Sequence, residues 1–218
     1  MATHNGTTGQ PSTFVVSSPK LWSPSSPDLY DIVITVGDDT INSYTGFRTV
    51  SRGLVEGVER PLLNGDFIFI FGTLDQGFWP DGIYVPPNRE AMVYDLQVLK
   101  NLGFNSVRKH IKVENALFYQ ACDEMGLMVI QDMPSLRPLQ TRILANCTVQ
   151  DILPDDAQQA EFQRQLELLV IQQRSFPSIT TWVICPRQVT CCRAITDAYR
   201  SSTTRAGASA WTTIQSSA

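Results

Sequence analysis

The sequence predicts an α/β fold: the first half of a (β/α)8 TIM barrel, preceded by the last strands of an immunoglobulin-like β-sandwich. Three observations carry this expectation. Residues 30–47 have the pattern of a β-hairpin, residues 67–184 alternate strand and helix patterns, and neither stretch fills the domain it belongs to. A sandwich of the immunoglobulin type needs about 100 residues, yet fewer than 55 precede the change of pattern near Gly53. A complete barrel takes roughly 250 residues, whereas about 155 follow Leu63.

Each element has its own local reason. Residues 1–18 are rich in Ser, Thr, Gly and Asn, the composition of a flexible segment. After the proline-stiffened turn Pro19-Lys20-Leu21-Trp22-Ser23-Pro24, the residues Tyr30, Ile32, Ile34 and Val36 alternate with Asp31, Val33 and Thr35, as in a strand with one buried face. Gly37-Asp38-Asp39 supplies turn chemistry, and residues 40–47 return as the second strand. A linker-like stretch to Arg60 follows. Phe67-Ile68-Phe69-Ile70-Phe71 is a continuous apolar run, expected of a strand covered on both faces. Residues 90–102 place Met92, Leu96 and Leu99 on one helical face, closed by Gly103. Ser106-Val107-Arg108 reads as a strand, residues 116–125 as a helix stopped by Gly126, and residues 127–131 as another strand. Residues 156–175 set Phe162, Leu166, Leu169 and Val170 on one face, and residues 179–184 form the next strand. Four βα steps in series imply a parallel sheet. The expected organisation is therefore a flexible segment (1–18), sandwich strands (19–52), a half barrel (53–184) and an aberrant tail (185–218).

Composition narrows the function. With 43% hydrophobic and 17% charged residues, the chain has the make-up of a folded protein rather than a disordered one. No run approaches the 18–20 apolar residues or so that a spanning helix needs, so no membrane partner is expected. A net charge of −4 and no basic cluster longer than Arg108-Lys109 give little reason to bind nucleic acid. Cys122, Cys147, Cys185, Cys191 and Cys192 are odd in number and lack a C-x-x-C pair with nearby histidines. They suggest neither a disulfide framework nor a zinc site, and no metal or cofactor is expected. There is no G-x-S-x-G elbow and no P-loop. The sequons Asn5-Gly6-Thr7 and Asn146-Cys147-Thr148 are short patterns that leave the compartment open.

Several motifs, taken in order, resemble a known family. Leu21-Trp22-Ser23-Pro24, Leu29-Tyr30-Asp31, Gly46-Phe47-Arg48 and Leu63-Asn64-Gly65 come first. Leu74-Asp75-Gln76-Gly77-Phe78-Trp79-Pro80-Asp81-Gly82 and Gly103-Phe104-Asn105-Ser106-Val107-Arg108-Lys109-His110 follow. Gln131-Asp132-Met133-Pro134 and Pro177-Ser178-Ile179-Thr180-Thr181-Trp182-Val183 complete the series. Over about 165 residues this resembles glycoside hydrolase family two, the β-galactosidases, β-glucuronidases and β-mannosidases, from the exit of the middle sandwich domain into the catalytic barrel.

The resemblance implies a retaining glycosidase that hydrolyses a terminal β-glycosidic bond with two glutamates, one acid/base and one nucleophile. Such chemistry needs two carboxyl groups about 5–5.5 Å apart. In the family the acid/base follows the fourth strand within Asn-Glu-Gly. Here the sequence runs Trp182-Val183-Ile184-Cys185-Pro186-Arg187-Gln188, so Arg187 occupies the glutamate position, and a guanidinium cannot donate a proton usefully near pH 7. The nucleophile would lie beyond Ala218. No catalytic residue is therefore assigned, and the chain is expected to be an inactive, truncated member. Residues 195–200 and 204–211 resemble the family again. Replacement of a short segment at residues 185–193 is one account, and a shifted frame to the end is the other.

The implied sugar-facing residues are Asp75, Trp79, Arg108, His110 and Asp132, at the carboxyl ends of the first three barrel strands, where barrel sites sit. Asp75 could accept hydrogen bonds from sugar hydroxyls and Trp79 could stack on a sugar face; the plainer alternative is a polar loop with a half-buried aromatic. Arg108 either touches substrate or pairs with Asp132 or Glu114 to hold the barrel top. His110 reads as an orienting partner more than a catalyst. A carbohydrate is the expected ligand. The rival to the enzyme is a non-catalytic carbohydrate-binding or scaffold remnant.

Overall fold

The computed structural model describes residues 3–134 and 155–184. Three sheets follow one another along the chain. Strands β1 (Tyr30–Val36) and β2 (Asp39–Thr45) form an antiparallel ribbon. Strands β3 (Val50–Val55), β4 (Val58–Leu63) and β5 (Asp66–Phe67) form a second antiparallel sheet. Strands β6 (Gly72–Asp75), β7 (Ser106–Lys109), β8 (Met128–Asp132) and β9 (Ile179–Val183) form a parallel sheet in sequence order. Helices α1 (Arg89–Asn101), α2 (Ala116–Met125) and α3 (Asp156–Gln173) supply the crossovers. This is the expected half barrel behind the end of a sandwich.

The helix boundaries follow their capping chemistry. The Asn88 side chain accepts a hydrogen bond from the Ala91 amide, and that of Asn115 accepts one from Phe118. Asp155 and Gln158 form a reciprocal capping box. Gly126 ends α2 in the left-handed conformation, with φ 71°, and a Cβ there would stand 2.6 Å from the Pro24 carbonyl oxygen. The buried faces are those of the sequence pattern: Met92 and Leu96 on α1, and Phe162, Leu166 and Leu169 on α3. Met92 and Leu96 join Val107, Phe118, Tyr119, Leu127, Val129 and Ile179 in the main core between α1, α2 and the sheet, while the α3 residues form a second cluster with Met133.

Two expectations are corrected. The supposed linker contains the β3–β4 hairpin, whose turn is Glu56-Gly57 with φ of 52° and 78°. Gly53 and Pro61, both strand-poor residues, hide its alternation. A Cβ at Gly53 would lie 2.7 Å from Leu62 Cδ1, so the leucine side chain fills the space the glycine leaves. The apolar run at 67–71 is not the first parallel strand, which instead begins at Gly72. Beyond Phe67, which ends β5, the Asn105 side chain holds the run: its Oδ1 accepts from the Phe71 amide and its Nδ2 donates to the Phe69 carbonyl, both at 2.8 Å. Ile68 and Ile70 pack against Trp22, Leu63 and Met128, while Phe67, Phe69 and Phe71 remain exposed. The run thus has one covered face.

The antiparallel segments are joined to the parallel sheet at the amino ends of its strands. Trp22 is fully buried and donates its indole N–H to the Asp123 carbonyl at 2.8 Å. The Arg48 guanidinium donates to the carbonyls of Pro177 and Ile179, each at 2.6 Å. Lys100 Nζ bridges the carbonyls of Pro24 and Gly126 at 2.6 and 2.8 Å. At the centre lies the Asp123 carboxyl group. Tyr44 on β2 donates its hydroxyl to Oδ2, and the Ser178 amide donates to Oδ1, both at 2.7 Å. Burial pushes the Asp123 carboxyl up from 3.8 to about 7, against the opposing pull of the Ser178 and Tyr44 hydrogen bonds and of Arg48. Burial and the same carboxylate raise the Tyr44 hydroxyl well above its ordinary value.

This joint predicts a pH dependence of stability. A carboxyl that holds its proton more tightly folded than unfolded contributes fully below pH 4, and the contribution is lost as pH rises through about 7. A displacement from 3.8 to about 7 corresponds to roughly 4 kcal/mol. In urea titrations between pH 4 and 8, D123N should remove this decline, since an amide can accept from Ser178 and donate to Tyr44. Parallel stability profiles for the two proteins would contradict it.

Candidate functional site

The carboxyl ends of β6, β7 and β8 bring together Asp75, Arg108, His110 and Asp132. Strand alternation sends Arg108 and Lys109 to opposite faces of β7. Arg108 Nε and Nη2 donate to the two Asp132 carboxylate oxygens at 2.9 and 3.0 Å, a bidentate pair between adjacent strands. The hydrogen bonds to Asp132 hold the guanidinium above its ordinary pKa. Asp132 is 5% exposed at its side chain and Arg108 40%, so the acid is sealed and the cation keeps a free face. Of the two partners open to Arg108 in the sequence, it takes Asp132 rather than Glu114.

His110 sits beside this pair. Its Nε2 is 3.9 Å from Asp132 Oδ2, its Nδ1 receives the Gln76 amide N–H at 2.9 Å, and its backbone N–H donates to the Asp75 carbonyl at 2.9 Å. The Ile111 amide donates to Asp132 Oδ2 at 3.4 Å, although φ at this β-branched residue is 50°. Asp75 Oδ1 accepts from the Gly77 amide and Oδ2 from Lys109 Nζ, each at 2.7 Å. Trp79 stands apart from the polar group: its ring packs on the main core and its amide bonds the Ile83 carbonyl at 2.9 Å. Arg187 lies outside the described residues, as do the expected tail 185–218 and the sequon at Asn146.

A second layer was not legible as site residues in the sequence. Lys109 and Lys112 are buried, with side chains 1% and 4% exposed, and both reach Glu114 Oε1, at 2.6 and 2.7 Å. Lys112 Nζ also donates to the carbonyls of Gly77 and Tyr84 at 2.9 and 2.8 Å. Behind them the Tyr119 hydroxyl accepts from the Glu114 amide and donates to Gln131 Oε1, and Gln131 Nε2 donates to the carbonyls of Lys112 and Asp132. Burial raises the Tyr119 hydroxyl well above its ordinary value. The only sequence signal was the density of charge in Arg108-Lys109-His110-Ile111-Lys112-Val113-Glu114, which reads equally well as a solvated loop. Among the described residues no group of three or more His, Cys, Asp or Glu is placed to hold a metal ion. Nor is any described helix long and apolar enough to cross a membrane.

A polar cluster at the carboxyl ends of parallel strands is where a TIM-barrel enzyme places its site, and the relatives bear on which class it belongs to. Residues 87–202 match the family model "Glycosyl hydrolases family 2, TIM barrel domain", and residues 1–48 match "Glycosyl hydrolases family 2". The chain belongs to glycosyl hydrolase family 2. A putative beta-glucuronidase of Formosa agariphila is 34% identical over 143 residues, 61% of this chain and 13% of that protein. A beta-galactosidase of Psychromonas ingrahamii is 29% identical over 175 residues, 77% of this chain and 16% of that protein. The chain thus spans a small part of the curated relatives it matches. Among solved structures, a GH2 beta-galacturonidase from Eisenbergiella tayi bound to galacturonate superposes with a TM-score of 0.61 at 26% identity. That superposition covers 84% of this chain and 30% of the other. A beta-glucuronidase of Parabacteroides merdae, 20% identical, shares the fold with a TM-score of 0.60 over 78% of this chain and 20% of its own.

The Arg108–Asp132 pair should be measurable in stability. D132N leaves a neutral acceptor beneath the guanidinium and should lower the unfolding free energy by about 2 kcal/mol in urea titrations, the scale of charge-assisted hydrogen bonds. The partial exposure of Arg108 keeps the loss below that of a fully buried pair. An unchanged midpoint would show that the pair contributes nothing net.

Proposed function

We propose that the chain carries the sugar-facing side of a family 2 β-glycosidase site, binding a terminal sugar through Asp75, Trp79, Arg108 and His110, with Asp132 holding Arg108 in place from beneath. The observation that carries this reading is the half-exposed guanidinium of Arg108, locked by a sealed carboxylate at the carboxyl ends of adjacent parallel strands with His110 beside it. A rigid donor group of this kind suits sugar hydroxyls, since its orientation is set before ligand arrives. The names of the relatives, beta-glucuronidase and beta-galactosidase, support a β-glycoside as the ligand class. The accompanying organisation is sandwich strands at 19–52 after a flexible segment (1–18), the half barrel at 53–184, and an aberrant tail at 185–218.

Hydrolysis of a terminal O-glycosidic bond by retention is the reaction this reading implies for the family, and the chain itself is proposed to lack it. Arg187 stands at the place of the acid/base glutamate, and a permanently charged guanidinium gives no proton to the leaving oxygen. The protein would then bind carbohydrate without cleaving it.

Aryl β-glucuronide and β-galactoside hydrolysis tests the chemistry, and calorimetric titration with the free sugars tests the site. The expected results are no turnover and a binding isotherm that R108M weakens at least tenfold while circular dichroism is retained. Turnover that survives repurification would refute the inactivity. The absence of sugar binding in the unaltered protein would refute the site.

A further inference from the structure

Six residues separate Gly77 from Tyr84, yet both their carbonyls accept from one buried ammonium, that of Lys112. The third Lys112 donor meets Glu114 Oε1, so all three N–H groups of the ammonium are used. The same oxygen meets Lys109, whose Nζ also holds Asp75 Oδ2. Two ammoniums and two carboxylates thus form a neutral cluster. It is flanked by the Tyr84 ring, 4.4 Å from Lys112 Nζ, and the Phe118 ring, 4.6 Å from Lys109 Nζ.

Gly77 is pressed directly on this cluster. A Cβ there would lie 2.5 Å from Lys112 Nζ, 2.6 Å from Glu114 Oε1 and 2.8 Å from Lys109 Nζ, and its φ is 67°. Between the two tied carbonyls the chain bonds to itself, Trp79 amide to Ile83 carbonyl, with Ile83 at a positive φ of 55°. From the other side, Gln131 holds the Lys112 carbonyl and Tyr119 the Glu114 amide. A cluster built for stability alone would be replaceable by apolar side chains of like volume, because desolvating Lys109, Lys112 and Glu114 costs much of what their attraction returns. Here the donors are spent on loop backbone and on Asp75.

We propose that Lys112, Glu114 and Lys109 are positioning residues: a buried charge clamp that orders the loop of residues 76–85 and thereby sets Asp75 and Trp79 for sugar. The clamp stands on its own geometry, and its consequence for sugar rests on the binding reading above. Asp75 is held by both oxygens, one from Lys109 and one from the Gly77 amide. Each oxygen retains a lone pair for a ligand hydroxyl, with its direction fixed.

The test uses E114Q, the charge-balanced double variant K112M/E114Q and, from the loop side, G77A. Amide hydrogen exchange and the indole 15N–1H resonance of Trp79, assigned with W79F, report on the loop without any ligand. The expected result is exchange at least tenfold faster in residues 76–85 and a displaced or broadened Trp79 resonance, with the amides of β7 and β8 still protected. Should E114Q not fold, the double variant and G77A carry the same comparison. Unchanged exchange in 76–85, or equal acceleration throughout β7 and β8, overturns the clamp. Sugar titration then reads the consequence: affinity should fall at least tenfold in variants whose loop is loosened. A loosened loop with undiminished affinity overturns the positioning role. An unaltered protein that binds no sugar refutes the functional reading, while the exchange data still decide the clamp.

Discussion

A charge taken out of water must be matched within a few ångströms by a partner, a hydrogen bond or a proton, and that constraint organises both ends of the parallel sheet. At the carboxyl end, Lys109 and Lys112 are neutralised by Asp75 and Glu114, and the spare donors go to loop carbonyls. At the amino end, the Asp123 carboxyl makes no ion pair among the described residues, and Arg48 acts on it only at longer range. It is met by a hydroxyl and an amide, and burial moves its proton affinity instead. The two solutions differ in consequence. Matched charges fix geometry, whereas a buried carboxyl met by hydrogen bonds leaves the joint sensitive to pH.

The motifs that carry the family resemblance divide along the same lines. Leu21-Trp22-Ser23-Pro24, Gly46-Phe47-Arg48 and Pro177-Ser178-Ile179 converge on Asp123 and the strand amino ends, where they join ribbon to sheet. A Cβ on Gly46 would sit 2.8 Å from Pro177 Cγ, so the glycine in the second motif answers to the proline in the third. Gln76, Gly77, Arg108, His110 and Asp132 converge at the opposite end. Resemblance along the chain therefore mixes residues that join the ribbon to the sheet with residues that gather at the candidate site, and only their position relative to the strand ends separates them.

The half barrel was legible because helices announce themselves locally. Gly103 and Gly126 stop two of them, and the 3.6-residue spacing of Met92 and Leu96, or of Phe162, Leu166 and Leu169, marks the faces that become buried. The strands were less legible. Gly53 and Pro61 disguised a hairpin, and the phenylalanines at 67, 69 and 71 suggested two covered faces where only Ile68 and Ile70 are turned inward. Strand identity depends on a neighbour contributed from elsewhere in the chain. For Phe69 and Phe71 that neighbour is an asparagine side chain 36 and 34 residues away.

The candidate site shows the same boundary. Sequence by itself determined the family, the order of the elements and the presence of Asp75, Arg108, His110 and Asp132 near strand ends, since these follow from motif order, hydrophobic periodicity and helix-stopping glycines. Tertiary structure alone decided that Arg108 pairs with Asp132, that Glu114 serves two lysines instead, and that Trp79 lies against the core. The physical reason is that a charged side chain costs little in water and much out of it, so its role is set by burial and by partners brought together through strand register. Neither is encoded in the residue's immediate neighbours.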